Sequence, residues 1–209
     1  MEKGLFITFE GADGSGKTTQ LNKVKEFLIK EGYDVVVTRE PGALDVGQKI
    51  RNILLHNEGF VSDRCEMFLF LADRSQHIDA LIKPAVDNGK IVLCDRHTDS
   101  TIAYQGYGRG QNIKLLKELN KIAVNGVFPD LTLLYDVSIK TAQERVGSEK
   151  DRMESAGLMF YEKVKNGYIE LQKENSDRIK LIDANRSVEE VFEDTKKNIV
   201  QLIQERRGK

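Results

Sequence analysis

Charge of one sign is missing from this chain: 32 Lys+Arg stand against 33 Asp+Glu, a net charge of −1. Such a balance supplies no long-range field of the kind that holds nucleic acid or an anionic membrane surface, so charge specialisation has to be local. Long apolar runs are missing too. None approaches the roughly 18 residues of a membrane span. Met1-Glu2-Lys3-Gly4 leads straight into an apolar strand without a signal-peptide layout, so the expectation is a cytoplasmic protein with neither nucleic acid nor membrane as partner. The two cysteines, Cys65 and Cys94, lack C-x-x-C spacing, which excludes a disulfide framework or a zinc or redox pair; both read as small core residues. His56, His77 and His97 are not paired at ligand spacing, which argues against a metal site built from side chains alone. With only 3 prolines and 40% hydrophobic residues, the chain is neither disordered nor collagen-like nor mucin-like.

What is present is an alternation of short β-branched runs with amphipathic segments, the pattern of a parallel sheet covered by helices on both faces. Five runs read as strands: Leu5 to Phe9, Val35 to Thr38, Ile91 to Cys94, Leu131 to Tyr135 and Ile179 to Ile182. Their near-continuous apolar character suits strands buried on both sides. Helices are expected from about Gly16 to Glu31, stopping at Gly32, and from Gln48 to about Leu55. A third begins near Ser62 or Asp63, turns Cys65, Phe68, Leu69 and Ala72 inward and ends before Pro84. Others cover Ile113 to Val124 and Leu158 to Glu174, and the last starts at a capping box formed by Ser187 and Glu190. With no repeat and no linker, 1–209 reads as a single domain. The polar stretch from Gly147 to Gly157 reads as a mobile flap.

The strongest chemical signal is Gly11-Ala12-Asp13-Gly14-Ser15-Gly16-Lys17-Thr18, a G-x-x-x-x-G-K-[ST] element between a strand and a helix. Glycines let backbone N–H groups curl around phosphate oxygens, and the new helix offers them its positive end. Lys17 would neutralise the β- and γ-phosphates, and Thr18 would place its hydroxyl on Mg²⁺. The strand Ile91 to Cys94 delivers Asp95 and Arg96 at its carboxyl end, where α/β proteins bind ligands. Asp95 would hold Mg²⁺ directly or through water, and Arg96 would grip a second phosphate. A guanine-reading Asn-Lys-x-Asp element is missing, since Asn22-Lys23-Val24-Lys25 and Asn120-Lys121-Ile122-Ala123 both lack the acid, and this disfavours a GTPase. Arg39, in the turn Arg39-Glu40-Pro41-Gly42, is poised over the same crevice, while Phe70 and Arg74, four apart, share one helix face. That pair could stack on a base and hydrogen-bond its edge.

Taken together, the P-loop with its Asp13, Arg39-Glu40-Pro41-Gly42, Phe70-Leu71-Ala72-Asp73-Arg74 and the run Asp95-Arg96-His97 through Ala103-Tyr104-Gln105-Gly106 resemble the thymidylate kinases of the bacterial type. The resemblance runs from about Phe6 to the final helix. It implies a three-layer P-loop kinase fold, with a five-stranded parallel sheet and a short lid at about 145–157, acting as a homodimer. It implies phosphorylation of dTMP to dTDP by Mg-ATP, in dTTP synthesis. Asp13 would then bind the acceptor 3′-hydroxyl and hold the arginine that meets its phosphate; Phe70 would stack on thymine and Arg74 hydrogen-bond the base oxygen nearest the methyl group. Thr101 and Gln105 would read the remaining base edge, Tyr104 would crowd the sugar 2′ position, and Arg39, Arg96 and Arg51 would line the acceptor phosphate pocket. Because Gly14 stands beside Asp13 where some relatives carry arginine, the catalytic cation is expected from the lid, as Arg152 or Arg145. The other readings of the residues are another deoxynucleotide or deoxynucleoside kinase, or a non-catalytic ATP-binding regulator.

Overall fold

A computed structural model of the chain describes residues 3–146 and 157–208. Five strands, β1 (Leu5–Glu10), β2 (Val35–Arg39), β3 (Ile91–Asp95), β4 (Leu131–Asp136) and β5 (Ile179–Asp183), form one sheet in the order β2-β3-β1-β4-β5. Every pairing is parallel. Each strand runs one residue beyond its apolar stretch and ends on a charged side chain: Glu10, Arg39, Asp95, Asp136 or Asp183. The register sets Phe9 opposite Asp95 and Arg39 opposite Asp95, so the charges collect along one edge of the sheet.

Helices cover both faces. On one, α1 (Lys17–Lys30) and the last helix lie against alternate residues of β1: Leu5, Ile7 and Phe9 meet Leu21, Val24 and Leu28, with Val191, Ile199 and Ile203 completing the layer. Each such buried aliphatic side chain contributes roughly 1.5–3 kcal/mol. The other face takes α2 (Asp45–His56), α3 (Asp63–His77), a π-helical turn over Ile78–Ile82, α4 (Lys83–Asp87), α5 (Thr98–Thr101), a π-helical stretch over Ile102–Gly108 and α6 (Ile113–Val124). There Phe6, Val92 and Cys94 pack on Ile78, Ile82 and Val86, while Leu134 and Ile179 meet Met67, Leu71, Leu116 and Val164. The chain is completed by α7 (Ile139–Val146), α8 (Leu158–Glu174) and α9 (Val188–Arg207), whose Ser187–Glu190 capping box is formed as expected.

Three expectations are corrected. The inward face of α3 is not Cys65, Phe68 and Ala72, all of which are exposed, but Glu66, Met67, Leu71, Asp73, Arg74 and His77. This helix buries polar groups that have partners in the site, and apolar periodicity cannot report those; only Cys94 of the two cysteines is a core residue. The helical path also continues past Pro84, which lies in the first turn of α4, directly after the π-helical turn at Ile78–Ile82. Finally, β2 and β5 are sheet edges and half exposed rather than buried on both sides. The proposed flap lies mostly outside the described residues.

Connections after β1 and β3 leave in opposite directions, the first toward β2 beyond β3 and the second toward β4 beyond β1. Ligand crevices in open α/β sheets form at such a point.

Candidate active site

A cleft of about 660 Å³ opens over the carboxyl ends of β1, β2 and β3. Its floor is the P-loop. Gly11 has φ 138° and passes so close to β4 that a Cβ would lie 2.5 Å from the Tyr135 carbonyl oxygen; Gly16, at φ 88°, turns the loop into α1. Glycine is required at both for these reasons. Lys17 is folded back over the loop, donating to the carbonyls of Gly11 at 3.2 Å and Ala12 at 2.9 Å and to Ser15 Oγ at 3.4 Å. Burial, helped by the neighbouring Arg96, brings its ammonium down to about 8 against the opposing pull of Asp95 and Asp13.

Across the floor, Thr18 Oγ1 donates to Asp95 Oδ2 at 3.3 Å, while the buried Asp95 Oδ1 has no partner among the described residues. Arg96, next along the chain, takes a left-handed backbone conformation at φ 68°, unfavourable for a residue with a Cβ. It is held there by its N–H to the Phe9 carbonyl and by its side chain. The guanidinium donates to Asp13 Oδ1 at 2.6 Å, the Gly11 carbonyl at 3.0 Å, Ser100 Oγ at 3.2 Å and Tyr168 Oη at 3.3 Å, and lies 5.0 Å from the centre of the Tyr104 ring. Burial would raise the Asp13 carboxyl, but Arg96 and then Lys17 outweigh it and hold it at about 2. Tyr104 Oη donates to the second Asp13 oxygen at 3.3 Å.

Arg39 is exposed at the mouth of the cleft, and Arg51 on α2 lines it while donating to the Pro41 carbonyl at 3.0 Å. Further in, Phe70, Arg74, Thr101 and Gln105 form one wall. Arg74 is 1% exposed and densely held: its Nε and Nη2 donate to Glu40 Oε2 at 2.9 and 2.8 Å, and its Nη1 donates to Thr101 Oγ1 at 2.8 Å and to Asn120 Oδ1. The other Glu40 oxygen accepts from Nδ1 of His77 and of His97, at 3.0 and 2.9 Å. Burial works against the Glu40 charge, but Arg74 and His97 keep the carboxyl well below its ordinary range.

Of the site residues chosen from sequence that are described, all line one cleft except Gly11 and Ala12, which lie on the other side of the P-loop against Tyr135 and Tyr168. Gly14, Ser15 and Gly16 line the cleft with Asp13, Lys17 and Thr18, and Arg145 reaches it from α7, 3.4 Å from the Gly14 carbonyl and 3.2 Å from that of Ala184. Arg152 lies outside the described residues. Sequence reasoning overlooked Glu40, which anchors Arg74, and Glu10, a buried carboxyl at the end of β1 that accepts from the His97 N–H at 2.7 Å, from Ser100 and from Tyr168 Oη at 3.0 Å. Burial and then Asp99 raise the Glu10 carboxyl. Its place, one residue before the P-loop, was the available signal. Also overlooked were Arg186, Val188 and Val191, which line the same cleft as Arg145.

A P-loop at the switch point of a parallel sheet, facing an arginine-rich pocket with a planar aromatic wall, defines a P-loop nucleotide kinase. A thymidylate kinase family profile matches residues 9–195. Over 209 aligned residues the chain is 44% identical to the thymidylate kinase of Maridesulfovibrio salexigens, covering 95% of this chain and 96% of that one. It is 48% identical to that of Finegoldia magna over 192 residues, covering 90% and 94%. The crystal structure of thymidylate kinase from Ehrlichia chaffeensis superposes with a TM-score of 0.78 at 36% identity, over 94% of this chain and 99% of that chain. The chain belongs to the thymidylate kinase family.

Proposed function

We propose that the enzyme transfers the γ-phosphoryl group of ATP to dTMP, yielding dTDP and ADP for dTTP synthesis. One observation carries the reading: Lys17 of the P-loop and Phe70, Arg74, Thr101 and Gln105 line one cleft, together with Arg96. The triphosphate lies along the P-loop, where Lys17 exchanges its carbonyl partners for phosphate oxygens. The adenine end extends toward Arg186, Val188 and Val191. The acceptor phosphate meets Arg96, Arg39 and Arg51. Its base stacks on Phe70, with Arg74, Thr101 and Gln105 at the base edge and Tyr104 against the sugar. Asp13 accepts from the 3′-hydroxyl and holds Arg96.

The pair formed by the Thr18 hydroxyl and the unpartnered, buried Asp95 Oδ1 fits Mg²⁺, a hard cation that takes oxygen ligands and retains water. When bound, the ion would supply charge neutralisation to the donor phosphates. No protein nucleophile is required: the acceptor phosphate oxygen attacks the γ-phosphorus, the bridging bond to the β-phosphate breaks, and positioning and charge neutralisation provide the rate. Arg145 or Arg152 stabilises charge on the transferring group.

The whole chain is read as one kinase domain with a lid at about 145–157, working in the cytoplasm as a homodimer. Ile53 on α2 and Phe68 on α3 are 43% and 53% exposed and supply an apolar face for self-association, which sedimentation analysis tests directly. The activity itself is tested by coupled ADP release with dTMP, dCMP, dGMP and AMP as acceptors, with and without EDTA. Fast turnover of dTMP alone, lost on chelation, is the expected result; equal rates across bases refute the base-reading wall.

A further inference from the structure

Glu66 is a carboxylate placed where the base-reading role does not directly use it. It lies on the inward face of α3 and is 0% exposed. Arg109, which follows the π-helical stretch, donates to both of its oxygens, Nε to Oε1 and Nη2 to Oε2, each at 3.3 Å. A carboxylate gripped through both oxygens by a guanidinium offers acceptors only. Glu66 Oε1 also lies 3.0 Å from the side-chain amide of Gln105. The group facing Glu66 must therefore be the Gln105 NH₂, because the alternative orientation would set two acceptor oxygens against each other in a buried site. The amide oxygen, without a protein partner among the described residues, is left for the cleft that Gln105 lines.

We infer that Glu66 is a specificity-determining positioning residue: by fixing the orientation of the Gln105 amide, it makes the wall accept an imide base and reject an amidine one. The inference rests on the dTMP reading above. Thymine offers an N3–H donor beside the O4 acceptor; cytosine offers the reverse, an N3 acceptor beside an N4 amino donor. The wall offers an acceptor, Gln105 Oε1, beside donors. Arg74 presents only donors, and Thr101 Oγ1, already accepting from Arg74 Nη1 at 2.8 Å, keeps its hydroxyl proton to give. An array of this kind pairs with thymine and leaves buried groups unpaired against cytosine, the circumstance in which polar sites discriminate most strongly. Two buried carboxylates thus aim the two sides of the base edge, Glu40 through Arg74 and Glu66 through Gln105.

The test compares kcat/KM for dTMP, dUMP and 5-methyl-dCMP in the full-length enzyme and in Glu66→Gln and Gln105→Ala. A glutamine at position 66 can donate as well as accept, so the Gln105 amide becomes free to turn over. The expected result is a fall of about tenfold or more in the dTMP to 5-methyl-dCMP ratio. The dTMP to dUMP ratio should stay unchanged, since both bases carry the same N3–H and O4 edge. Where Glu66→Gln alone fails to fold because it strands the Arg109 charge, the paired Glu66→Gln/Arg109→Met removes both charges and carries the same expectation. An unchanged dTMP to 5-methyl-dCMP ratio, with all three substrates slowed alike, overturns the inference and leaves Glu66 a structural residue. Gln105→Ala separates the two levels: if it relaxes the ratio while the Glu66 variants do not, the positioning role fails and the base-reading role stands. A wild-type enzyme that does not phosphorylate dTMP at all refutes the underlying reading instead.

Discussion

Arg96 Nη2 lies 2.6 Å from Asp13 Oδ1, joining the residue after β3 to the middle of the P-loop. Without Asp13, Arg96 would keep its charge but lose the partner that offsets its left-handed backbone and its burial.

Asp13→Asn should lower kcat/KM for dTMP by roughly a hundredfold, because hydrogen bonds to charged groups contribute about 1.5–3 kcal/mol and Arg96 also loses its orientation. Stability should respond to pH in a defined direction. The folded Asp13 titrates at about 2 against an ordinary 3.8, so its contribution is complete above 3.8 and is lost as pH falls toward 2. Denaturant midpoints should show wild type above the variant by a constant margin from pH 8 to 5, narrowing below about pH 4. A margin that widens in acid would contradict the pairing.

Lys17→Ala should abolish turnover with the fold retained, judged by circular dichroism. In the free enzyme the Lys17 ammonium titrates at about 8, chiefly through burial. A bound triphosphate favours its protonated form. Nucleotide binding above pH 8 must therefore take up a proton, and the Kd for ATP should rise by up to about tenfold per pH unit. Calorimetric titration at pH 7, 8 and 9 measures this, and the slope should vanish in Lys17→Ala.

Phe70 and Arg74 share a wall but should fail differently. Phe70→Ala removes a stacking surface worth about 1–3 kcal/mol per base, so KM for dTMP should rise roughly ten- to a hundredfold with little change in melting temperature. Arg74→Ala leaves the Glu40 charge buried against two histidines, and breaking a buried pair costs about 3–5 kcal/mol, so loss of stability should accompany loss of activity. Thermal melts beside steady-state kinetics distinguish them.

Arg145→Ala and Arg152→Ala should separate the candidate catalytic cations. Arg145 is held by the carbonyls of Gly14 and Ala184, within reach of the P-loop. One of the two variants should lose kcat far more than acceptor affinity. If neither does, the lid supplies no catalytic charge.

Much of this enzyme was legible in the linear chain. β-branched runs ending in charge, the glycine spacing before Lys17 and the Ser187 capping box depend on local backbone chemistry, and local chemistry survives in sequence. The five strands and the helices Ile113–Val124 and Leu158–Glu174 follow from it. The inward face of α3 did not, because Glu66, Asp73, Arg74 and His77 are buried by partners far along the chain, and no periodicity reports a partner.

The glycine spacing by itself determined that the backbone would curl at the end of β1, since only glycine takes the positive φ of Gly11, Gly14 and Gly16 without strain. Which carboxylate meets which cation was decided only by the tertiary structure. Glu40 reaches Arg74 across 34 positions, Glu66 reaches Arg109 across 43, and Arg96 reaches Asp13 across 83. Those separations close only when the sheet and the helices packed on it bring these segments together, and burial then makes each pairing compulsory, because an unpaired charge is far more costly there than in water.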